Sequence, residues 1–208
     1  MTDPKQIVRS GYDEIADRYD EWASSFESPE LAWVSELLSR LDRDADVLDL
    51  GCGGGRRPAQ TVAAAHRYTG VDLSTVQIER ARRRIPSGRF IVADATQLEL
   101  APESFDAVMS LFVLGHIPRG EQAPLLERMH GWLRLGGWLL ATMGTGGSVD
   151  EVEDDWLGAP MFFASFDPDT NRELVVRAGF ELVQDRVVAH DEPGHGPVSF
   201  MWLLARKP

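Results

Sequence analysis

Three aspartates and one run of glycines carry most of the chemistry visible in this chain. Asp49-Leu50-Gly51-Cys52-Gly53-Gly54-Gly55 follows a short apolar run. Its G-x-G-x-G spacing lets the backbone turn tightly and approach a ligand with no Cβ in the way. The dinucleotide fingerprint would need glycine at position 56, where Arg56 stands. Asp72 ends a second apolar run, in a position to accept both hydroxyls of a ribose. Asp94 follows a third, in a position to accept from an exocyclic amine. A phosphate would call for Lys, Ser or Thr directly after the glycines; Arg56, Arg57 and Pro58 stand there. Asp49 beside the turn suits a cofactor with cationic groups. Jointly the three acids describe an adenosine site without a phosphate anchor, the alternative being plain solvated strand-end acids.

Other candidates are weaker. His116, in Leu114-Gly115-His116-Ile117-Pro118, is a general base with an ionisation near about 6.5, or a polar loop residue that orients backbone. Arg56 is a partner for a cofactor carboxylate or a solvated arginine at a helix start. His190, Asp191, Glu192 and His195 match no metal-ligand spacing and suit a strand connection, so no metal is assigned.

The elements that must position these groups alternate. Val8, Tyr12, Ile15, Tyr19 and Trp22 fall at spacings of 4, 3, 4 and 3, one face of a helix. Ser28 as N-cap and Pro29 announce a second helix with the stripe Leu31, Val34, Leu38 and Leu41. Strands are expected at 47–50, 68–71, 89–92, 105–112 and 138–143. Helices are expected over 58–65, from Ser74 with Gln77 completing a capping box, and along Leu125, Leu126, Met129 and Leu133. Continuous apolar strands alternating with helices mean a parallel sheet covered on both faces. Asp167 and Pro168 open a last helix that Gly179 closes, and 182–188 with 199–205 read as an antiparallel pair at one edge. The expected class is α/β: a doubly wound, mostly parallel seven-stranded sheet with an antiparallel last strand. One domain spans 1–208, with N-terminal helices at 1–41, a cofactor-binding core at 42–143, a lid or surface excursion at 144–166, and the last helix and strand pair at 167–208.

Composition sets outer limits. The 208 residues include 21 Lys and Arg against 33 Asp and Glu, a net charge of −12, which argues against nucleic acid as a partner. Apolar residues make up 43% and charged residues 26%, a globular balance. A single cysteine, Cys52, excludes an intrachain disulfide framework. Met1-Thr2-Asp3-Pro4-Lys5 lacks the basic start and apolar run of a secretory signal, and no apolar stretch has the length of a membrane span, so a cytoplasmic protein is expected.

Several segments together resemble one family, the class I S-adenosylmethionine-dependent methyltransferases, in particular its small-molecule branch. Val47 to Gly55 looks like that family's first motif, Gly70-Val71-Asp72-Leu73-Ser74 its second and Ala93-Asp94-Ala95 its adenine contact. Phe105-Asp106-Ala107-Val108 and Leu133-Arg134-Leu135-Gly136-Gly137 are similar to its fourth strand and the turn before its fifth. The resemblance implies a Rossmann-like methyltransferase fold, S-adenosylmethionine as cofactor, and methyl transfer to an O or N atom of a small-molecule substrate. It implies that Gly51 and Gly53 line the methionine and ribose, Asp72 holds the ribose diol, and Asp94 with the Ala95 amide holds the adenine. Asp49, Gly55, Leu73 and Leu111 fall in the same implied pocket. Core packing accounts for Tyr12 and Tyr19, although in the family this helix closes over the cofactor. Trp156, Met161, Phe162 and Phe163 are expected to form an apolar wall facing the methyl group, with His116 opposite. A non-catalytic cofactor-binding protein of the same fold is the alternative, and an NAD-dependent oxidoreductase a weaker one.

Overall fold

The computed structural model describes residues 3–26, 28–146, 149–194 and 196–208. Strands β1 (Asp46–Leu50), β2 (Arg67–Asp72), β3 (Arg89–Val92), β4 (Phe105–Ser110), β5 (Leu133–Gly144), β8 (Glu181–Glu192) and β9 (Gly196–Arg206) form one sheet. Their order is β3-β2-β1-β4-β5-β9-β8. The pairs from β3 through β5 are parallel, and β9 runs antiparallel to both β5 and β8. The expected sheet is therefore present. Strand order reverses between β1 and β4, and in an open α/β sheet a ligand crevice opens there, beyond the carboxyl ends of the strands.

The continuous apolar runs have the physical cause inferred from sequence. Each face of the sheet is covered: Leu48, Leu50 and Val108 pack against α6 (Arg119–Trp132) and α7 (Pro168–Arg177), while Val47, Ala107 and Leu140 pack with Trp33 and Val62 of α3 (Glu30–Leu38) and α4 (Arg57–Ala63). Asp167 caps α7 as expected, accepting from the amides of Asp169 and Thr170.

Five local expectations need correction. The long first helix is two, α1 (Pro4–Glu14) and α2 (Ala16–Ala23), bent at the fully buried Ile15. Ser28 does not cap α3, which starts at Glu30, and its buried face is Trp33, Val34 and Leu37 because Trp33 stacks on Trp202. Ser74 caps α5 (Thr75–Arg84), accepting from the Gln77 amide, but the Gln77 side chain does not return the bond; the Ser74 amide donates to Asp72 instead. Leu133 opens β5 rather than closing a helix. Finally, β8 and β9 extend further than expected, so His190, Asp191 and Glu192 lie within β8. His195 lies outside the described residues.

Residues 144–166 are an organised unit. β6 (Glu151–Trp156) and β7 (Ala159–Phe163) form an antiparallel hairpin that packs on α1, with Ile15, Trp156, Met161 and Phe162 in a small core of their own. A Cβ placed on Gly11 would fall 2.8 Å from the Pro160 carbonyl oxygen, so glycine lets α1 rest directly on β7.

Candidate functional site

The turn after β1 runs beneath the crevice. A Cβ on Gly51 would meet Val113 Cγ2 at 2.1 Å, and its φ of +69° already favours glycine. Gly53 opens on empty space: nothing lies within 4 Å of where its Cβ would stand. Gly55 is different. It faces α5, where a Cβ would approach the Ala81 Cα at 3.0 Å, so it serves helix packing and does not reach the cavity.

Above Gly51 and Gly53 lies a cavity of about 780 Å³ counting its mouth, lined by Asp72, Leu73, Asp94, Ala95, Leu111, Tyr12 and Tyr19 among others. The Gly53 amide donates to Asp72 Oδ2 at 2.8 Å and the Ser74 amide to Oδ1 at 2.9 Å. Burial pushes the Asp72 carboxyl up to about 6 against the pull of those two amides. Asp94 accepts from the Thr96 amide at 2.8 Å and pairs with Lys5 Nζ at 3.0 Å. Lys5 also reaches Glu121 at 2.5 Å, tying the start of α1 across the mouth. Asp49 is 5% exposed, accepts from the Tyr68 hydroxyl at 2.5 Å, and is raised by burial to about 7. It lines a smaller cleft that continues from Gly51 and Gly53 toward α4. Arg56 donates to the Ala23 carbonyl at 2.7 Å and stands 4.0 Å from Glu30, so it ties α2 and α3 to the glycine turn.

Gln77 is a lining residue that sequence did not single out. It is buried with neither side-chain amide atom hydrogen-bonded among the described residues. Unmet donors and acceptors, the buried Asp49 and half-buried Asp72 carboxylates, and the open space at Gly53 fit a polar nucleoside with cationic groups.

A second cavity adjoins the first through a shared wall of Tyr12, Tyr19, Phe112 and His116. Phe112 holds a left-handed φ of +60°, with its amide donating to Thr142 Oγ1 at 2.6 Å. Such strain in a non-glycine residue persists only where the surroundings enforce it. Trp156 and Phe163 line the second cavity, as expected; Met161 and Phe162 are buried against α1 and line neither.

His116 is also not where sequence put it. It lies on the same side as the aromatic hairpin, its ring 5.0 Å from that of Phe163. Nδ1 is 2.8 Å from the Phe162 carbonyl oxygen, so Nδ1 donates and Nε2 accepts from the Tyr12 hydroxyl at 2.9 Å. Its lone pair is thus already engaged. Burial pushes its pKa down to about 4, not the 6.5 region. A lowered value means the neutral ring's contribution to stability is present above about 6.5 and lost as pH falls through about 4. In NMR the His116 ring resonances should therefore stay constant from about pH 8 down to about 5.5. A midpoint near 6.5 would contradict the buried, doubly bonded ring.

The second cavity also gathers Glu30, His190 and Glu192, from α3 and β8. His190 and Glu192 were visible in sequence only as a polar strand connection. Their approach to Glu30, some 160 positions away, has no local signal.

A doubly wound sheet with a buried acid, Asp49, near the end of β1, a half-buried one, Asp72, at the end of β2 and a further acid, Asp94, just beyond β3, over a glycine turn, defines a nucleoside-cofactor α/β protein. A family model described as a methyltransferase domain matches residues 47–137. The 27-O-demethylrifamycin SV methyltransferase of Amycolatopsis mediterranei is 34% identical, over 72% of this chain and 65% of its own. A trans-aconitate 2-methyltransferase of Enterobacter sp. is 38% identical, over 57% of this chain and 46% of its own. The solved 1,6-didemethyltoxoflavin-N1-methyltransferase of Burkholderia thailandensis, with 1,6-didemethyltoxoflavin and S-adenosylhomocysteine bound, superposes with a TM-score of 0.74. That match is at 23% identity and covers 100% of this chain and 91% of the other. Over residues 47–137 the chain is thus similar to methyltransferase domains, and its fold is that of the solved methyltransferase. It spans about half to two thirds of the length of the curated relatives it matches. No helix among the described residues is long and apolar enough to cross a membrane.

Proposed function

We propose that this chain binds S-adenosylmethionine in the first cavity and transfers its methyl group to an oxygen or nitrogen atom of a small molecule held in the second. The observation that carries this is the shared wall: two cavities, one holding Asp72 and Asp94 above the glycine turn and one lined by Trp22, Phe26, Trp156 and Phe163, meet at Tyr12, Tyr19, Phe112 and His116. The named activities of the relatives support it, since several act on small molecules.

When bound, S-adenosylmethionine supplies a methyl group on a cationic sulfur. The chain's own residues have the remaining work. Asp72 offers two carboxylate oxygens to a ribose diol, with Gly53 and Ser74 fixing its orientation. Asp94 and the Ala95 backbone face the same cavity for the adenine, and Asp49 lies toward the amino-acid end. The aromatic wall excludes water and aligns an acceptor; alignment alone supplies a large part of such catalysis. Small-molecule substrates are the proposed partners, and the acidic charge speaks against nucleic acid.

Calorimetry tests the reading. S-adenosylhomocysteine should bind with one-to-one stoichiometry and NAD should not displace it. Competition by NAD, or no binding of S-adenosylhomocysteine, would overturn the cofactor assignment.

A further inference from the structure

Resting on that reading, one side chain of the second cavity has chemistry that His116 lacks. His190 is nine-tenths buried, and its Nε2 stands 3.2 Å from Glu192 Oε1. The Nε2–H donates to that carboxylate, which leaves the lone pair on Nδ1. Nδ1 is buried and has no hydrogen-bond partner among the described residues. The ring lies nearly parallel to Phe26, at 5.5 Å and 14°, and to Phe200, at 5.8 Å and 22°. Phe200 in turn meets Phe112, part of the wall shared with the first cavity. Ser28, whose hydroxyl also lacks a partner among the described residues, lines the same cavity.

The remaining surfaces select the ligand. Trp22, Phe26, Trp156 and Phe163 offer flat apolar faces. Among the described residues, the charged groups facing His190 are Glu192 on its own strand, with Glu30 of α3 and Arg56 beyond it. Two carboxylates against one guanidinium among the described residues give no surplus of positive charge to receive an anion. A neutral amine needs no base before it attacks, whereas a hydroxyl does.

We propose that the second cavity takes an uncharged aromatic acceptor bearing a hydroxyl group, and that His190 Nδ1 is its base. As the oxygen–carbon bond forms and the sulfur–carbon bond breaks, the bonding pair stays on sulfur and the hydroxyl proton passes to Nδ1. Glu192 then faces a doubly protonated imidazole, which it stabilises.

The test is binding of three probes to the full chain by calorimetry, with and without S-adenosylhomocysteine: 2-naphthol, 2-methoxynaphthalene and 2-naphthoate. Wild type should hold the naphthol about tenfold more tightly than the ether, and the naphthoate least tightly. His190→Phe keeps the stacking and should lose the preference for naphthol while retaining affinity for the ether. His190→Asn can place a carbonyl oxygen near the former Nδ1 and should recover part of the preference. A preference that survives His190→Phe overturns the role of His190. Naphthoate binding as tightly as naphthol, or no naphthol binding to wild type, overturns the acceptor class. Failure of S-adenosylhomocysteine to bind would instead strike the cofactor reading, and the probe series without it still reports on His190.

Discussion

Asp72→Ala should weaken S-adenosylhomocysteine binding by about 30- to 1,000-fold at pH 8. Two hydrogen bonds from a ribose diol to a carboxylate are each worth about 1.5–3 kcal/mol, and because they share one group their joint loss is about 2–4 kcal/mol. At about 1.4 kcal/mol per tenfold, that gives the stated range. The wild-type affinity should itself fall as pH drops through about 6, where the half-buried Asp72 carboxyl gains its proton. In the alanine variant the step at about 6 should vanish, leaving only the one that Asp49 contributes at about 7. Calorimetry across pH 5 to 8 reads both effects, and undiminished affinity in the variant would remove Asp72 from the site.

Asp49→Asn should stabilise the ligand-free chain at high pH. Burial comes first among the causes that raise Asp49 to about 7, followed in the same direction by the nearby charges of Asp72 and Glu30. A carboxyl raised in the folded state contributes stability that is fully present below its unfolded value, about 3.9, and is lost as pH rises through about 7. Three units correspond to about 4 kcal/mol, an order-of-magnitude figure. Asparagine carries no charge and still accepts from the Tyr68 hydroxyl. Urea unfolding should thus show the variant more stable than wild type by about 2–4 kcal/mol at pH 8, with the gap closing toward pH 4. Equal stability at both pH values would mean that Asp49 is not buried as described. The same substitution should weaken cofactor binding at pH 8, because it removes a negative charge beside the glycine turn. Acids whose burial costs stability once they ionise cluster at functional sites.

The lining of the first cavity was readable because each of its parts is local. A parallel strand buried on both faces is a short apolar run, and the acid or glycine at its carboxyl end is its immediate neighbour; Leu50 with Gly51 and Val71 with Asp72 are such pairs. Gly55 was misassigned because a glycine that makes room for Ala81 looks the same in sequence as one that makes room for a ligand. The hairpin was not legible: Glu151 to Asp155 are exposed on both faces of β6, so no alternation marks a strand. Its apolar residues belong to a separate core shared with α1, which is why Met161 and Phe162 turn away from the cavity they were expected to line. The second cavity's polar end depends on β9 carrying β8 to the far edge, beneath Phe26. That arrangement follows from the sheet order and from no single segment.

The shared wall has a thermodynamic consequence. Tyr12 and Tyr19 belong to both cavities and sit on helices pinned to the body by Lys5 with Asp94, Asp13 with Ser74, and Asp20 with Arg80 and Arg84. Any ordering of these helices that one ligand requires is already in place when the second arrives. The two affinities are then linked, by an equal factor in each direction, although the ligands occupy different chambers. A spent cofactor and a methylated product would each hold the door for the other.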